Sequence, residues 1–217
     1  MLTLEEIHGC VLGLLDTVDE GKALTEQDAA LIGLAVRASP SALDMDGAEE
    51  YARLALDAGA TPAQIHETLV LVSGLGVHTL MLGSSRIAAL LRERAEPGIS
   101  APLDERRRRL WEKYVGDDPF WDSMEREVPG FLDALLRQCP DAFEAFFQYC
   151  AVPWQTAALR ALSKELISLA VDATPSHRFM PGLRLHLGNA IKLGAGRRAI
   201  IQTLAIAAAA PEHTGIA

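Results

Sequence analysis

The 217-residue sequence predicts an all-α protein built from a helical unit repeated in tandem. Three observations carry that prediction. Apolar residues recur at i, i+3, i+4 and i+7 along the chain, whereas the strict alternation of a half-buried strand is absent. Proline and glycine clusters separate the periodic segments. Above all, the chain aligns with itself. Shifting residues 31–79 forward by 135 lays them without a gap over 166–214, and 18 of the 49 pairs are identical, Pro40/Pro175, Gly47/Gly182, Gly59/Gly194 and His78/His213 among them. Two copies of one helical unit can pack as a built-in pseudo-dimer, and the positions where they differ separate shared scaffold from one-sided chemistry.

The elements follow in order. A first helix is expected over residues 3–18. Thr25 opens Thr-x-x-Asp before the apolar run Ala29–Ala38, a helix start with an acid in its first turn. Pro40 and Asp44–Gly47 form the next connection, after which a helix runs to Ala58 and ends at Gly59. Thr61-Pro62-Ala63-Gln64 combines a capping residue, a proline at the first helical position and a glutamine able to close a capping box. That helix reaches Ser73, and another covers Val77–Arg94. Two prolines and a glycine in Glu96–Pro102 interrupt any period. Residues 1–95 are therefore read as the first unit, 96–104 as a linker and 105–217 as the second unit. Helices are expected near 103–115, 119–127, 129–138 and 140–150. Pro153 marks a break, and the second copy supplies 155–173, 180–193 and 196–209.

Composition narrows the function. An apolar fraction of 49% suffices for a substantial core. A net charge of −9 repels polyanions, so neither nucleic acid nor an anionic membrane is expected as partner. The run Arg106–Arg109 does not change this, because consecutive helical residues point in different directions. No apolar run is read as reaching the roughly 18 residues of a membrane span. The N-terminus, MLTLEEIHGC, is acidic where a secretory signal is basic. The expected location is the cytoplasm, which suits three cysteines, Cys10, Cys139 and Cys150, with no C-x-x-C pair.

On a wheel of the helix after Pro175, His186 falls within the apolar arc of Leu183, Leu187 and Ala190, while Arg184, Gly188, Asn189 and Lys192 fall on the other side. Its counterpart Tyr51 occupies the same place in the first copy. The segments LSKELISLAVDAT and GLRLHLGNAIKLGAG, with the helix Arg197–Ala209, resemble the carboxymuconolactone decarboxylase family, which shares the alkyl hydroperoxidase D-like fold. In the first copy the matching stretches are LTEQDAALIGLAVRAS and EEYARLALDAGATPAQIHETL. The resemblance covers about two thirds of the chain. It implies an all-α fold, oligomers of intertwined helices and a small pocket beside the family histidine.

The resemblance places the family histidine at His186 and the family glutamate at Glu165. Tyr51 and Ala30 stand there in the first copy, whose site is accordingly read as degenerate. The hydroperoxidase branch carries two cysteines ahead of the histidine, at positions that are Phe179 and Gly182 here, so a dithiol relay is not carried over. A histidine in an apolar setting, oriented by a carboxylate, can give or take a proton during turnover. Loss of CO2 from a lactone acid leaves an enolate that a nearby acid must quench at carbon. His186 and Glu165 are the candidate catalytic residues. Arg178 or Arg184 could clamp a substrate carboxylate. Arg178 is preferred for its place in the loop, and His177 in the same Pro-flanked loop joins it as a candidate substrate-binding residue, a solvated loop histidine being the plainer alternative. His78 and His213, kept in both copies, are read as shared architecture such as a helix end.

No cofactor is expected. The spacing of the second copy's histidines matches no compact ligand motif, so no metal is expected either. The sequence thus reads as a cofactor-independent lyase or isomerase acting on a small anionic lactone or keto acid. The alternative is a noncatalytic binding or assembly protein on the same fold. The Ala-rich run Ile200–Ala210 suggests a homo-oligomer, a trimer first and a dimer next.

Overall fold

The computed structural model describes residues 3–215. Among these residues there are twelve α-helices, one short 3-10 turn at Gly74–Gly76 and no strand. The all-α expectation holds. Packing divides the described residues into two compact units, one formed by residues up to 73 and from 153 onward, the other by 74–152. The segment 96–104 lies inside the second of these.

The first unit contains α1 (Leu4–Leu14), α2 (Glu26–Ala38), α3 (Met45–Asp57), α4 (Pro62–Ser73), α10 (Ala161–Ala173), α11 (Met180–Lys192) and α12 (Arg197–Ala208). Each bound of α2, α3 and α4 shifted by 135 gives the bound of α10, α11 and α12. The connections match as well. Asp44 N–H donates to Arg37 O at 3.0 Å, and Phe179 N–H donates to Asp172 O at 2.9 Å. Ser39 and Thr174 each turn a hydroxyl back onto a valine carbonyl, at 3.0 and 2.9 Å.

In α10 every residue from Ser163 to Ala173 is buried. A helix enclosed on all sides must lie at the centre of its unit. α2, buried over Ala30–Val36, packs against it. α3 lies on α2 and α11 on α10, while α4 and α12 each touch both central helices. Thr25, Asp44 and Thr61 cap α2, α3 and α4, each accepting a backbone N–H with its side chain. Gln64 closes the expected box by accepting Thr61 N–H at 2.8 Å.

Three helix bounds differ from the sequence reading by more than two residues: the helix Pro140–Gln155 runs through Pro153, where a break was expected, and tertiary partners explain the other two. α1 ends at Leu14 rather than residue 18, because the chain beyond it serves another helix. The carbonyls of Asp19 and Glu20 accept the N–H groups of Arg197 and Arg198 at 2.9 and 3.0 Å, covering the start of α12. Gly21 and Gly196 make that approach possible, since a Cβ on Gly196 would lie 2.5 Å from Gly21 Cα. α10 begins at Ala161 rather than 155, because a buried carboxylate claims the preceding segment. Glu67 on α4 accepts Leu159 N–H at 2.9 Å and the Thr156 hydroxyl, and pairs with Lys164 at 2.8 Å.

The second unit holds α5 (Val77–Glu93), α6 (Glu105–Tyr114), α7 (Phe120–Glu127), α8 (Phe131–Gln138) and most of α9 (Pro140–Gln155). Its core is aromatic. The Phe147 ring lies 4.9 Å from that of Phe143 and 5.2 Å from that of Phe146, centroid to centroid, with Tyr114, Trp121 and Phe131 around them. α9 continues past Pro153, which sits in its last turn.

Two apolar stretches remain to be placed. Ile200, Leu204 and Ala207 of the Ala-rich run are buried within the unit, so this helix spends much of its apolar face internally. By length and composition the stretch Pro62–Glu93 could cross a membrane, with mean hydropathy 1.4. The turn at Gly74–Gly76 divides it, however, and the Glu67–Lys164 pair ties α4 to α10.

Candidate active site

Glu165 lies one turn into α10, whose following residue Leu166 and preceding residue Lys164 point elsewhere into the core. Because successive helical side chains are about 100° apart, Lys164 can reach α4 while Glu165 faces α11. His186 sits mid-way along α11 with its side chain about one-fifth exposed. Its Nδ1 lies 2.7 Å from Glu165 Oε2. Asn189 donates from Nδ2 to Glu165 Oε1 at 3.2 Å. Both oxygens of a buried carboxylate are thereby engaged, which is what burial of such a group requires.

An ionised carboxylate can only accept, so the hydrogen of this contact belongs to Nδ1. Nε2 is the nitrogen left to exchange a proton. Burial works against a charged imidazole, but the hydrogen bond His186 donates to Glu165 and the negative charges of Asp172 and Glu165 outweigh it. His186 is held above its ordinary 6.5.

Asp172 completes the cluster. It stands seven residues after Glu165 on the same face of α10 and is buried. Burial pushes its carboxyl up to about 7, against the pull of His186. His177 Nε2 lies 3.7 Å from Asp172 Oδ1, beyond hydrogen-bonding distance, and burial lowers the His177 pKa. The structure therefore gathers Glu165, His186, Asn189, Asp172 and His177 in one unit.

Arg178 lies in the same loop and its Nε donates to Pro175 O. It adopts a left-handed backbone, φ 50°, as does its counterpart Leu43, φ 48°. A conformation shared by arginine and leucine at matched positions is set by the turn, whichever side chain stands there. His213 is exposed beyond α12, where its Nδ1 accepts Gly215 N–H at 3.1 Å. His78 instead lies in the first turn of α5. The two identical histidines thus occupy unlike structures, and the reading of them as shared architecture is corrected: the structural correspondence ends with α4 and α12.

The first copy's equivalent place is filled differently. Tyr51 packs on Gly33 so closely that a Cβ there would lie 2.0 Å from two ring carbons. The Arg37 guanidinium stacks over that ring at 4.1 Å and pairs with Asp44 at 3.6 Å. Ala30 offers no carboxylate. Phe179 and Gly182 stand where a dithiol would be needed, and burial pushes the Cys150 thiol up to about 11, so it stays protonated at neutral pH.

Asp172 and Asn189 were not legible as site residues from the wheel alone. Asn189 falls outside the apolar arc but is only about 60° from His186 around α11, which is close enough to reach Glu165. For Asp172 a signal existed: within the otherwise matched runs LAVRA and LAVDA, a basic residue faces an acidic one.

The fold as a whole is similar to the crystal structure of a provisionally assigned gamma-carboxymuconolactone decarboxylase subunit from Burkholderia xenovorans LB400. The TM-score is 0.72 at 30% sequence identity, over 94% of this chain and 79% of that one. No protein-family model matches the chain, and no curated protein matches it significantly.

Proposed function

We propose, because the chain belongs to the carboxymuconolactone decarboxylase family, that it is a cofactor-independent lyase that decarboxylates a small anionic lactone or keto acid. The observation that carries this reading is the 2.7 Å contact between His186 and a buried glutamate whose second oxygen is also held. In the reaction the bond from carbon to the carboxylate breaks. Its electron pair passes to the adjacent conjugated carbonyl as an enolate, and CO2 departs. His186, charged and fixed through Nδ1, delivers the Nε2 proton to carbon, and a proton from water restores it. The balance is one carboxylate and one proton consumed, one CO2 and one C–H bond formed.

The raised pKa of His186 supports this role, since it enlarges the protonated fraction near neutrality. Glu165 fixes the tautomer, and Asn189 fixes Glu165. Arg178 and His177, in the loop between α10 and α11, are the proposed contacts for the substrate's anionic group.

The test is a screen of the purified protein against muconolactone-type acids, followed by loss of CO2 or ultraviolet absorbance. H186A should lower turnover by about 10²–10⁴-fold while leaving the helical circular dichroism spectrum intact. Y51A, its counterpart, should cost less than tenfold, an effect on packing alone. Equal turnover in wild type and H186A would remove the proposal.

A further inference from the structure

We infer that Asp172 is a positioning residue for His186: a second carboxyl, lodged in the space that position 182 leaves by being glycine, which keeps a compensating negative charge beside the imidazole. The inference rests on reading His186 as the acid–base group.

The geometry begins with two pairs across two helices. On α10, Glu165 and Asp172 lie two turns apart on one face; on α11, His186 and Gly182 lie one turn apart on the facing side. Glu165 meets His186, and Asp172 meets Gly182. A Cβ on Gly182 would lie 2.1 Å from Asp172 Oδ2 and 2.9 Å from Phe179 Cδ1, so any side chain there would expel the carboxyl. This is one of the positions at which the hydroperoxidase branch carries a cysteine, and here a carboxyl from the neighbouring helix takes up the room.

The first copy shows why a capping role does not account for it. There too a carboxylate lies beside the equivalent glycine: a Cβ on Gly47 would sit 2.1 Å from Asp44 Oδ2. That carboxylate comes from the cap position of α3, accepts Gly47 N–H at 3.1 Å, is one-third exposed and is neutralised by Arg37. In the second copy the cap position is Phe179, which makes no side-chain cap bond. The acid arises from position 172 instead, where Arg37 stood. A cap needs only an acid at 179. Relocating it to 172 buries it almost completely and brings it within the electrostatic reach of His186.

Other charges in the unit that face α10 are already satisfied at its far end. Asp28 on α2 is held by Arg160 and Ser163, and Glu67 on α4 by Lys164, Thr156 and Leu159 N–H. They sit about eight residues, roughly 12 Å, along the helix from Asp172. His177, from the loop, flanks Asp172, and Glu165 is the other charge on the same face. The mutual influence of Asp172 and His186, each favouring the other's charged form, agrees with this arrangement.

The test is the proton NMR titration of the His186 ring in wild type and D172N, with thermal melts alongside. D172N should move the His186 midpoint down by about one pH unit, the effect expected of a unit charge seated about one to two helical turns from the ring at an effective dielectric near 20. A loss of capping would lower the melting temperature and leave that midpoint in place, which would overturn the inference. The reciprocal measurement needs no folded D172N. In H186Q, the Asp172 carboxyl followed by carbon NMR should titrate at higher pH than in wild type by the same amount, since the coupling is mutual; no change would overturn the inference. Neither titration depends on turnover. An inactive protein with coupled midpoints defeats the lyase reading alone, and an active one with independent midpoints defeats only the role of Asp172.

Discussion

Replacing Lys164 by methionine should destabilise the protein far more than its single charge suggests, and should blunt the site at the same time. Lys164 and Glu67 are both about 95% buried, their charges 2.8 Å apart. Lys164 also donates to Thr156 O at 3.0 Å. Removing one member of a buried pair leaves the other uncompensated, at a cost of about 3–5 kcal/mol. For a chain of this size each kcal/mol lowers the melting temperature by about 2–4 °C, so K164M should melt roughly 6–20 °C lower.

The double variant E67Q/K164M separates charge from shape. Glutamine keeps an acceptor for Leu159 N–H and removes the stranded charge, so it should recover more than half of the loss. The pair also has a pH signature. Burial pushes the Glu67 carboxyl up, but the bonds from Lys164, Thr156 and Leu159 N–H outweigh it and hold it below 4.5. A depressed folded-state value stabilises above the unfolded one and loses its effect as pH falls through the folded value. The gap between wild type and E67Q should therefore close on acidification from pH 7 towards 3. Because Lys164 precedes Glu165, K164M should also loosen the start of α10 and lower turnover. Melts monitored by circular dichroism read all of this. A loss under about 1 kcal/mol in K164M, or no recovery in the double variant, would refute the reasoning.

Gly33→Ala should force the Tyr51 ring from its seat, since the new methyl would lie 2.0 Å from it; overpacking of this kind costs about 1–3 kcal/mol, readable as a lower melting temperature with turnover per folded molecule unchanged. Cys150, with its thiol near 11, should resist a thiol reagent at pH 8 while the exposed Cys139 reacts, and alkylation of Cys139 should leave turnover unchanged. Rapid labelling of both would contradict the burial of Cys150.

The helical class was legible because periodicity reports burial directly, and the internal alignment located α2, α3, α4 and their partners together. What sequence could not supply was the use of one segment by another. Asp19 and Glu20, just beyond the helix expected over 3–18, serve as a backbone cover for α12. Thr156 and Leu159 read as helix and are drawn out by Glu67, a residue about ninety positions earlier. The site divides similarly. Glu165 and His186 were reached through resemblance, and their contact follows from two packed helices. Asn189 and Asp172 depend on side-chain reach and on the missing Cβ at 182, which a wheel does not display. His78 and His213 show the reverse failure, since identity in an alignment did not imply equivalent surroundings.

The differences between the two copies form a linked set rather than independent drift. Arg37 in place of aspartate introduces a cation that needs an acid, and Asp44 in place of phenylalanine supplies it at 3.6 Å. Tyr51 in place of histidine needs room for a larger ring, and Gly33 in place of Ser168's side chain provides it. Ala30 in place of glutamate removes a carboxylate that would have no imidazole to hold. Each exchange makes sense only with its neighbour, while turn positions such as Pro40/Pro175 and the left-handed pair Leu43/Arg178 keep the backbone the same. One copy thus closes its interior with a stacked guanidinium and ring, and the other pairs an imidazole with a buried carboxylate at the matching position. The fold tolerates both because the scaffold bonds run through backbone atoms, so the side chains between the paired helices are free to specialise as a block.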